Sequence, residues 1–322
     1  MRSTSFGTSG VTVSAVGLGL AALGRPGYLT LGHGEDLAGR TDVAALERHA
    51  HRMLDAARAA GVVYFDAARS YGRSEEFLAS WLRSRGVASD AVVVGSKWGY
   101  IYRADWRTDA EVHEVKLHSL ENLDRQYAES SGRLGAHLRL YQIHSATTDS
   151  GVLEDRAVMS RLAELRDAGV IVGVTVSGPG QAETIRRALT IAPGGTPLFG
   201  AVQATWNLLE PSAGQALAEA ADAGLAVIVK DAVANGRLSA QNPSILDRLR
   251  GLGSDWPVDA LAMAAVLHQP WATVVLSGAA TEEQLASNLR ALDVPADVVD
   301  RLPVLSEPPG QYWATRTSLD WT

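Results

Sequence analysis

The chain of 322 residues contains no cysteine. Disulfides, thiolate-held zinc and cysteine nucleophiles are therefore excluded, and the absence fits a reducing cytoplasm, the expected location. Basic residues are outnumbered, 29 Lys and Arg against 36 Asp and Glu, and none of them form a block. With a net charge of −7 there is no electrostatic footprint for a nucleic-acid partner. Long apolar runs are missing too. Nothing approaches the roughly 20 residues of a membrane helix, and the stretch from Met1 to Gly17 lacks the apolar core of a secretory leader. Among catalytic signatures, H-E-x-x-H, the phosphate-binding G-x-x-x-x-G-K-[ST] and the nucleophile elbow G-x-S-x-G are all absent. His49 and His51 lie two apart on a helix and face different directions, so no metal is expected.

What is present is an ordinary globular composition, 46% hydrophobic and 20% charged. Thr4 to Phe6, a Gly7–Gly10 turn and Val11 to Val13 predict an opening β-hairpin. Eight apolar, strand-like runs follow: Ala15–Gly19, Val62–Asp66, Val92–Lys97, Leu138–His144, Val170–Ser177, Ala201–Thr205, Ala226–Asp231 and Thr273–Ser277. Amphipathic segments separate them. Val43, Leu46, Ala50, Met53 and Ala57 recur at steps of three and four on one helical face, with Thr41 or Asp42 to cap it and Gly61 to end it. Similar helices are predicted over Val158–Ala168, Gln181–Ile191, Ala213–Ala223, Pro257–Leu267, Thr281–Ala291 and Ala296–Leu302, and Met53 and Met159 read as core. Loops are expected at Leu20–Arg40, Trp98–Thr108, Glu129–Gly135 and Asp231–Ser254.

Strands as apolar as Val170 to Val174 suit a parallel sheet covered on both faces. Eight of them alternating with helices fit a closed α/β barrel, and alternation alone also admits a doubly wound open sheet. Against the sheet, Gly17-Leu18-Gly19 lacks the third glycine of a dinucleotide fingerprint and opens no helix. One domain spanning 1–322 is expected. Three ionisable residues end three successive strands: Asp66, Lys97 and His144, with Tyr71 just beyond the second. In a barrel these strand ends face the active site.

Phe65-Asp66-Ala67-Ala68-Arg69-Ser70-Tyr71-Gly72 resembles the F-D-T-A-x-x-Y-G motif of the aldo-keto reductase family. Gly95-Ser96-Lys97 and Leu140-Tyr141-Gln142-Ile143-His144 are similar to its strand-end lysine and histidine motifs. The resemblance implies a (β/α)8 TIM barrel with an N-terminal β-hairpin and extra C-terminal helices. It also implies reversible hydride transfer between a nicotinamide and the carbonyl of an aldehyde, ketone or sugar. Tyr71 would be the proton donor, its pKa lowered by Lys97, with Asp66 orienting Lys97 and His144 holding the carbonyl. A second reading on the same fold is a cofactor-binding regulatory subunit. A third is a barrel isomerase or hydrolase that uses Asp66, Lys97 and His144 without nicotinamide.

The resemblance also implies cofactor contacts at Gly19, at Ser177 and Gly178 (where the family has Ser-Asn), at Gln203, and at Trp206 stacked on the nicotinamide ring. After the seventh strand it points to Lys230, Asp231, Gly236 and Leu238. Asp231 stands where the family has serine, and needs Lys230 or Arg237 to offset it near a diphosphate unless it faces ribose hydroxyls. At the adenosine end the matched positions are Ser277, Gly278, Gln284 and Asn288. The family favours NADP(H), yet the cations that would hold a 2′-phosphate are missing at Gly278, Ala279 and Gln284, which leaves NAD(H) open. Tyr28, Trp98 and Tyr100 are the expected substrate-lining residues, with Trp106, Tyr312 and Trp313 as further aromatic candidates. The expected partner is a small carbonyl compound. Oligomeric state is left open.

Overall fold

The structure is a computed structural model that describes residues 1–39, 41–250 and 256–322. Its centre is eight parallel strands, β1 (Val16–Gly19), β2 (Tyr64–Asp66), β3 (Val93–Trp98), β4 (Leu138–Ala146), β5 (Ile171–Val176), β6 (Ala201–Thr205), β7 (Ala226–Lys230) and β8 (Val274–Ser277). Each bonds to the next in sequence, and β8 returns to β1 through Leu276↔Gly17 and Ser277↔Leu18, so the sheet closes into a barrel and the open-sheet alternative falls. Every predicted strand is present, with ends displaced by two residues at most.

Two mutually exclusive sets of side chains fill the two faces of the wall. Inward-facing Tyr64, Val93, Leu140, Ala201, Ala226, Ile228 and Val274 form the interior core. The opening hairpin, Ser3–Ser5 paired with Thr12–Ser14, plugs its amino-terminal end by adding Phe6 and Val13 to that core, with the Phe6 ring stacked 5.8 Å from Tyr64. Space for Tyr64 comes from glycine: a Cβ on Gly95 would lie 2.6 Å from its hydroxyl and one on Gly17 2.7 Å from its ring. The larger core lies between the barrel and its helices, where Met53 and Met159 are buried as expected.

The helices Val43–Ala59, Arg156–Asp167, Gln181–Leu189, Gly214–Asp222, Val258–Leu267, Glu282–Leu289 and Ala296–Val299 match the predicted ones. Asp42 rather than Thr41 caps the first, accepting from the Ala45 amide at 2.9 Å. One loop assignment is corrected: residues 129–134 complete the helix Leu120–Leu134, capped by Ser119. Within the loop beyond β1, residues 33–37 form a helical turn, and within the loop beyond β7 a helix runs over Pro243–Arg250. The parts of these assignments that fall on Arg40 and on residues 251–254 lie outside the described residues. A helix over Pro309–Thr317 closes the carboxyl-terminal end. Among the described residues no helix is long and apolar enough to cross a membrane.

Candidate active site

The parallel register sets Asp66 beside Gly19 and Gly95, and Lys97 beside Gln142, so the ionisable strand ends share one mouth of the barrel. Lys97, 1% exposed, forms a short ion pair with Asp66 and donates to the Ala67 carbonyl at 3.1 Å. Gln203 Nε2 holds the other Asp66 oxygen at 2.9 Å, and the Tyr64 hydroxyl donates to it at 3.4 Å. This carboxylate is therefore bound from three sides.

Tyr71 follows β2 in a turn closed by Tyr71 N–H to the Ala68 carbonyl. Lys97 Nζ sits 4.8 Å from its ring centre and the His144 ring meets it edge-on at 5.4 Å. His144 is aimed by an irregularity in β4: pairing with β5 slips between Ile143 and Ala146, and Ser145 adopts φ 54°. The Thr175 hydroxyl secures that kink by accepting from the Ser145 amide at 2.7 Å. Burial, helped by the charges of Lys97 and Lys230, pulls the His144 pKa well below the ordinary range, so its imidazole is neutral.

Other groups outweigh any lowering of the Tyr71 pKa by Lys97. Burial, then the carboxylates of Asp66 and Glu114, push the phenol well above the ordinary tyrosine range, and the opposing cation is Arg25. Arg25 is 2% exposed, stands 5.2 Å from the ring centres of both Tyr71 and Tyr28, and donates to the Ser70 carbonyl at 3.0 Å. It pairs at 2.5 Å with Glu114, which is carried by an antiparallel ribbon, Tyr100–Tyr102 with Glu114–Lys116. Lys97 itself is committed to Asp66.

Arg25, Asp66, Tyr71, Glu114 and His144 line one cavity of about 230 Å³ together with Gly19, Ser177, Gln203, Lys230, Asp231, Ser277, Gly278 and Arg316. Tyr28 and Tyr100 are in its wall, as expected; burial, then Glu114, pushes the Tyr100 phenol up to about 12. Trp98 is a correction. Lys97 points into the barrel, so its neighbour along the strand points outward; Trp98 is fully buried, edge-on to His118 at 5.6 Å, and outside the cavity wall. Trp321 enters the wall from the tail, 4.7 Å from the Arg25 guanidinium, while Tyr28 and Thr322 exchange backbone hydrogen bonds. No sequence motif marks Arg25, Glu114, Arg316 or Trp321.

The other predicted cofactor positions are spread along the same face. Gly178 lines an adjoining groove with Trp313 and Arg316. Trp206 packs edge-on to Trp271 at 5.6 Å and Leu238 sits in a subsidiary core with Tyr312, both away from the cavity wall, and Gly236 is buried in the loop after β7. Asn288 accepts from the Ser277 hydroxyl at 2.8 Å, and Gln284 donates to Asp36 at 2.8 Å. Of the remaining aromatics, Trp106 bonds the Thr41 carbonyl and Tyr312 bonds Asn207. Arg237 is spent on Glu307, so it does not offset Asp231. Lys230 does so at 3.2 Å and Arg316 at 3.7 Å; against the cost of burial, the two hold the Asp231 carboxyl down at about 2.

A closed (β/α)8 barrel with an Asp–Lys pair, a tyrosine and a histidine at its mouth defines the class of protein. The family model for the aldo/keto reductase family matches residues 30–303. The chain is similar to the holo form of an aldo-keto reductase from Bacillus halodurans, with TM-score 0.71 and 21% identity over 96% of this chain and 97% of that one. It is also similar in fold to a Pseudomonas aeruginosa protein described as a candidate aldo-keto reductase, with TM-score 0.64 and 24% identity over 89% and 92%. The aldo-keto reductase str7 of Strobilurus tenacellus is 34% identical over 90 residues, a stretch that is 27% of this chain and 23% of that relative. The chain belongs to the aldo-keto reductase family, and so to a superfamily of oxidoreductases.

Proposed function

We propose that this protein is a nicotinamide-dependent carbonyl reductase with Tyr71 as general acid. One observation carries the reading: Asp66, Tyr71, His144, Ser177 and Gln203 line a single cavity, with Lys97 bonded to Asp66 behind it. The residues fit a nicotinamide. Ser177 and Gln203 offer polar groups for its carboxamide, and a Cβ at Gly278 would meet nothing within 4 Å, which leaves open space beside Ser277 for the rest of a dinucleotide. Bound there, the cofactor supplies the hydride.

The chain's own groups handle the oxygen. As negative charge develops on the carbonyl oxygen, Tyr71 gives up its proton and the neutral His144 orients the oxygen by hydrogen bonding. Lys97 stabilises the resulting phenolate across 4.8 Å, a charge that exists only once the proton has moved. Asp66, held from three sides, keeps Lys97 in place.

The adenosine end favours NADH. The groove beside Thr281 carries Asp36, Glu282 and Glu283 against one arginine, Arg52, and Arg290 is turned onto the Trp256 ring at 5.0 Å. That balance repels a 2′-phosphate.

The test is oxidation of NADH and NADPH with a panel of aldehydes, beside cofactor binding measured by tryptophan fluorescence. Tyr71→Phe is expected to keep cofactor binding and lose about 10²–10⁴-fold in kcat, the contribution of a general acid. Binding without turnover across the panel would replace the enzyme with the regulatory-subunit reading. If neither cofactor binds, the nicotinamide assignment fails.

A further inference from the structure

Among the described residues Lys97, Arg25, Lys230 and Arg316 stand at the barrel mouth, and the first three are matched. Lys97 has Asp66, Arg25 has Glu114, and Lys230 has Asp231, reinforced by the Thr205 hydroxyl, which Lys230 reaches at 2.8 Å. Arg316 has no carboxylate of its own. Its nearest acid is the same Asp231 oxygen, 3.7 Å from Nε, beyond hydrogen-bonding distance. Among the described residues Arg316 donates no hydrogen bond, although its Nε is fully buried.

A guanidinium carries five N–H donors in a planar fork; here Nε is buried without a partner, and the side chain is 23% exposed. This one is not loosely placed. It comes from the last turn of the helix Pro309–Thr317, lies over the Trp313 ring at 5.6 Å, and lines the cavity that holds Tyr71, Tyr100 and His144. It also lines the adjoining groove with Ser177 and Gly178. A surplus, oriented fork in the wall of a reaction cavity is the arrangement that takes a planar or tetrahedral oxyanion in two parallel hydrogen bonds.

We propose that Arg316 is an oxyanion receptor of the active site, binding a carboxylate or phosphate group of the ligand. The proposal rests on the carbonyl-reductase reading for its location and on the unpaired guanidinium for its chemistry. Two sources offer that group: an acidic tail on the carbonyl substrate, which makes the substrate class a short carbonyl acid, or the diphosphate of the dinucleotide. Asp231 then acts as a positioning residue, holding the guanidinium near the cavity without occupying its fork.

The first experiment needs no turnover. Succinate and inorganic pyrophosphate are titrated separately into the wild-type protein and into Arg316→Met and Arg316→Lys, following tryptophan fluorescence, since Trp313 lies beneath the guanidinium. Saturable binding of at least one anion is expected, weakened about 10–100-fold by the Met variant and less by Lys, which keeps the charge and loses the fork. Thermal melting confirms that each variant is folded. If all three proteins bind both anions equally, or none binds either, the proposal is overturned.

The second experiment separates the sources. Butanal and succinic semialdehyde are compared as substrates, and the Kd of NADH is measured directly. A substrate carboxylate predicts that wild type prefers the semialdehyde and that Arg316→Met collapses the preference at least tenfold with NADH affinity within twofold. A cofactor diphosphate predicts instead a loss of NADH affinity of at least tenfold, with the ratio between aldehydes unchanged. If neither aldehyde turns over while the anions still bind through Arg316, the reductase reading fails and the receptor stands.

Discussion

Two buried carboxylates, both at strand ends on the same barrel mouth, are built to different specifications. Asp66 takes one cation, one amide and one hydroxyl, and each partner is inside hydrogen-bonding range. Asp231 is approached by two cations, binds one closely, and leaves the other, which lines the cavity, with a buried Nε that has no hydrogen-bond partner. The first cluster is closed: nothing arriving from solvent is needed to complete it. The second is open and has one positive charge too many. Closed clusters fix geometry, whereas an open one supplies binding energy when a ligand completes it.

The sharpest way to break this contrast is to remove one cation from each cluster and measure stability by chemical denaturation. Lys97→Met strands Asp66 in a dry environment and is expected to cost about 3–5 kcal/mol, the penalty for orphaning one member of a buried pair. Arg316→Met removes the more distant of the two cations beside Asp231, and Lys230 still neutralises that carboxylate; a change below about 1 kcal/mol is expected. Equal losses in the two variants would mean that the Asp231 cluster is as closed as the other.

The same contrast explains what could be read from the sequence. Asp66, Lys97 and His144 end apolar strands, and strand ends in a barrel are fixed in space by local pattern, so this candidate set is legible from the sequence. Arg25, Glu114, Arg316 and Trp321 reach the cavity from a loop, a ribbon and the tail, and nothing in their neighbouring residues announces it. The strands themselves were legible because both faces are apolar. The helix Leu120–Leu134 was partly missed for the opposite reason. Its buried face includes Asn122, Gln126 and Ser130, which are satisfied by hydrogen bonds such as Ser130 to Glu75 at 2.6 Å and Gln126 to the Tyr100 carbonyl at 2.9 Å. A polar buried face leaves no hydrophobic period to find. Trp98 shows the cost of ignoring a rule that was available, since the alternation that turns Lys97 inward turns its neighbour away.

A second contrast sets the cation-rich cavity against the acidic groove beside Thr281, where the proposed dinucleotide would place its adenosine. Asp36 is fixed by Gln284 at 2.8 Å beside Glu282 and Glu283, and its pKa is raised chiefly by burial. Replacing it by asparagine keeps the shape and removes one charge from the neighbourhood of a 2′-phosphate. Asp36→Asn is therefore expected to raise the affinity for NADPH relative to NADH by about three- to tenfold, roughly 1 kcal/mol. Titrations of the two cofactors against both proteins measure it, and an unchanged ratio would place the 2′-hydroxyl away from this groove.

The smallest expected effect is the most discriminating one for the closed cluster. If Lys97 outweighed the groups that raise the Tyr71 pKa, the phenol would titrate early, and reduction would lose its proton donor on the alkaline side of neutrality. In the structure Lys97 is spent on Asp66, and burial together with Asp66 and Glu114 raises the Tyr71 pKa well above the ordinary range. The sign follows directly. Reduction uses the protonated phenol, which stays fully populated below the raised pKa, so kcat for reduction should change less than about twofold between about pH 7 and 9. Oxidation of the alcohol uses the phenolate, whose small population grows about tenfold per pH unit over the same interval, and its rate should climb accordingly. Arg25 is a leading cation that lowers this pKa, so Arg25→Met should push the oxidative limb further to the alkaline side. A reductive limb that falls already near pH 8 would show that Lys97 outweighs burial and the two carboxylates at the phenol, and that the Asp66 cluster is less closed than its hydrogen bonds imply.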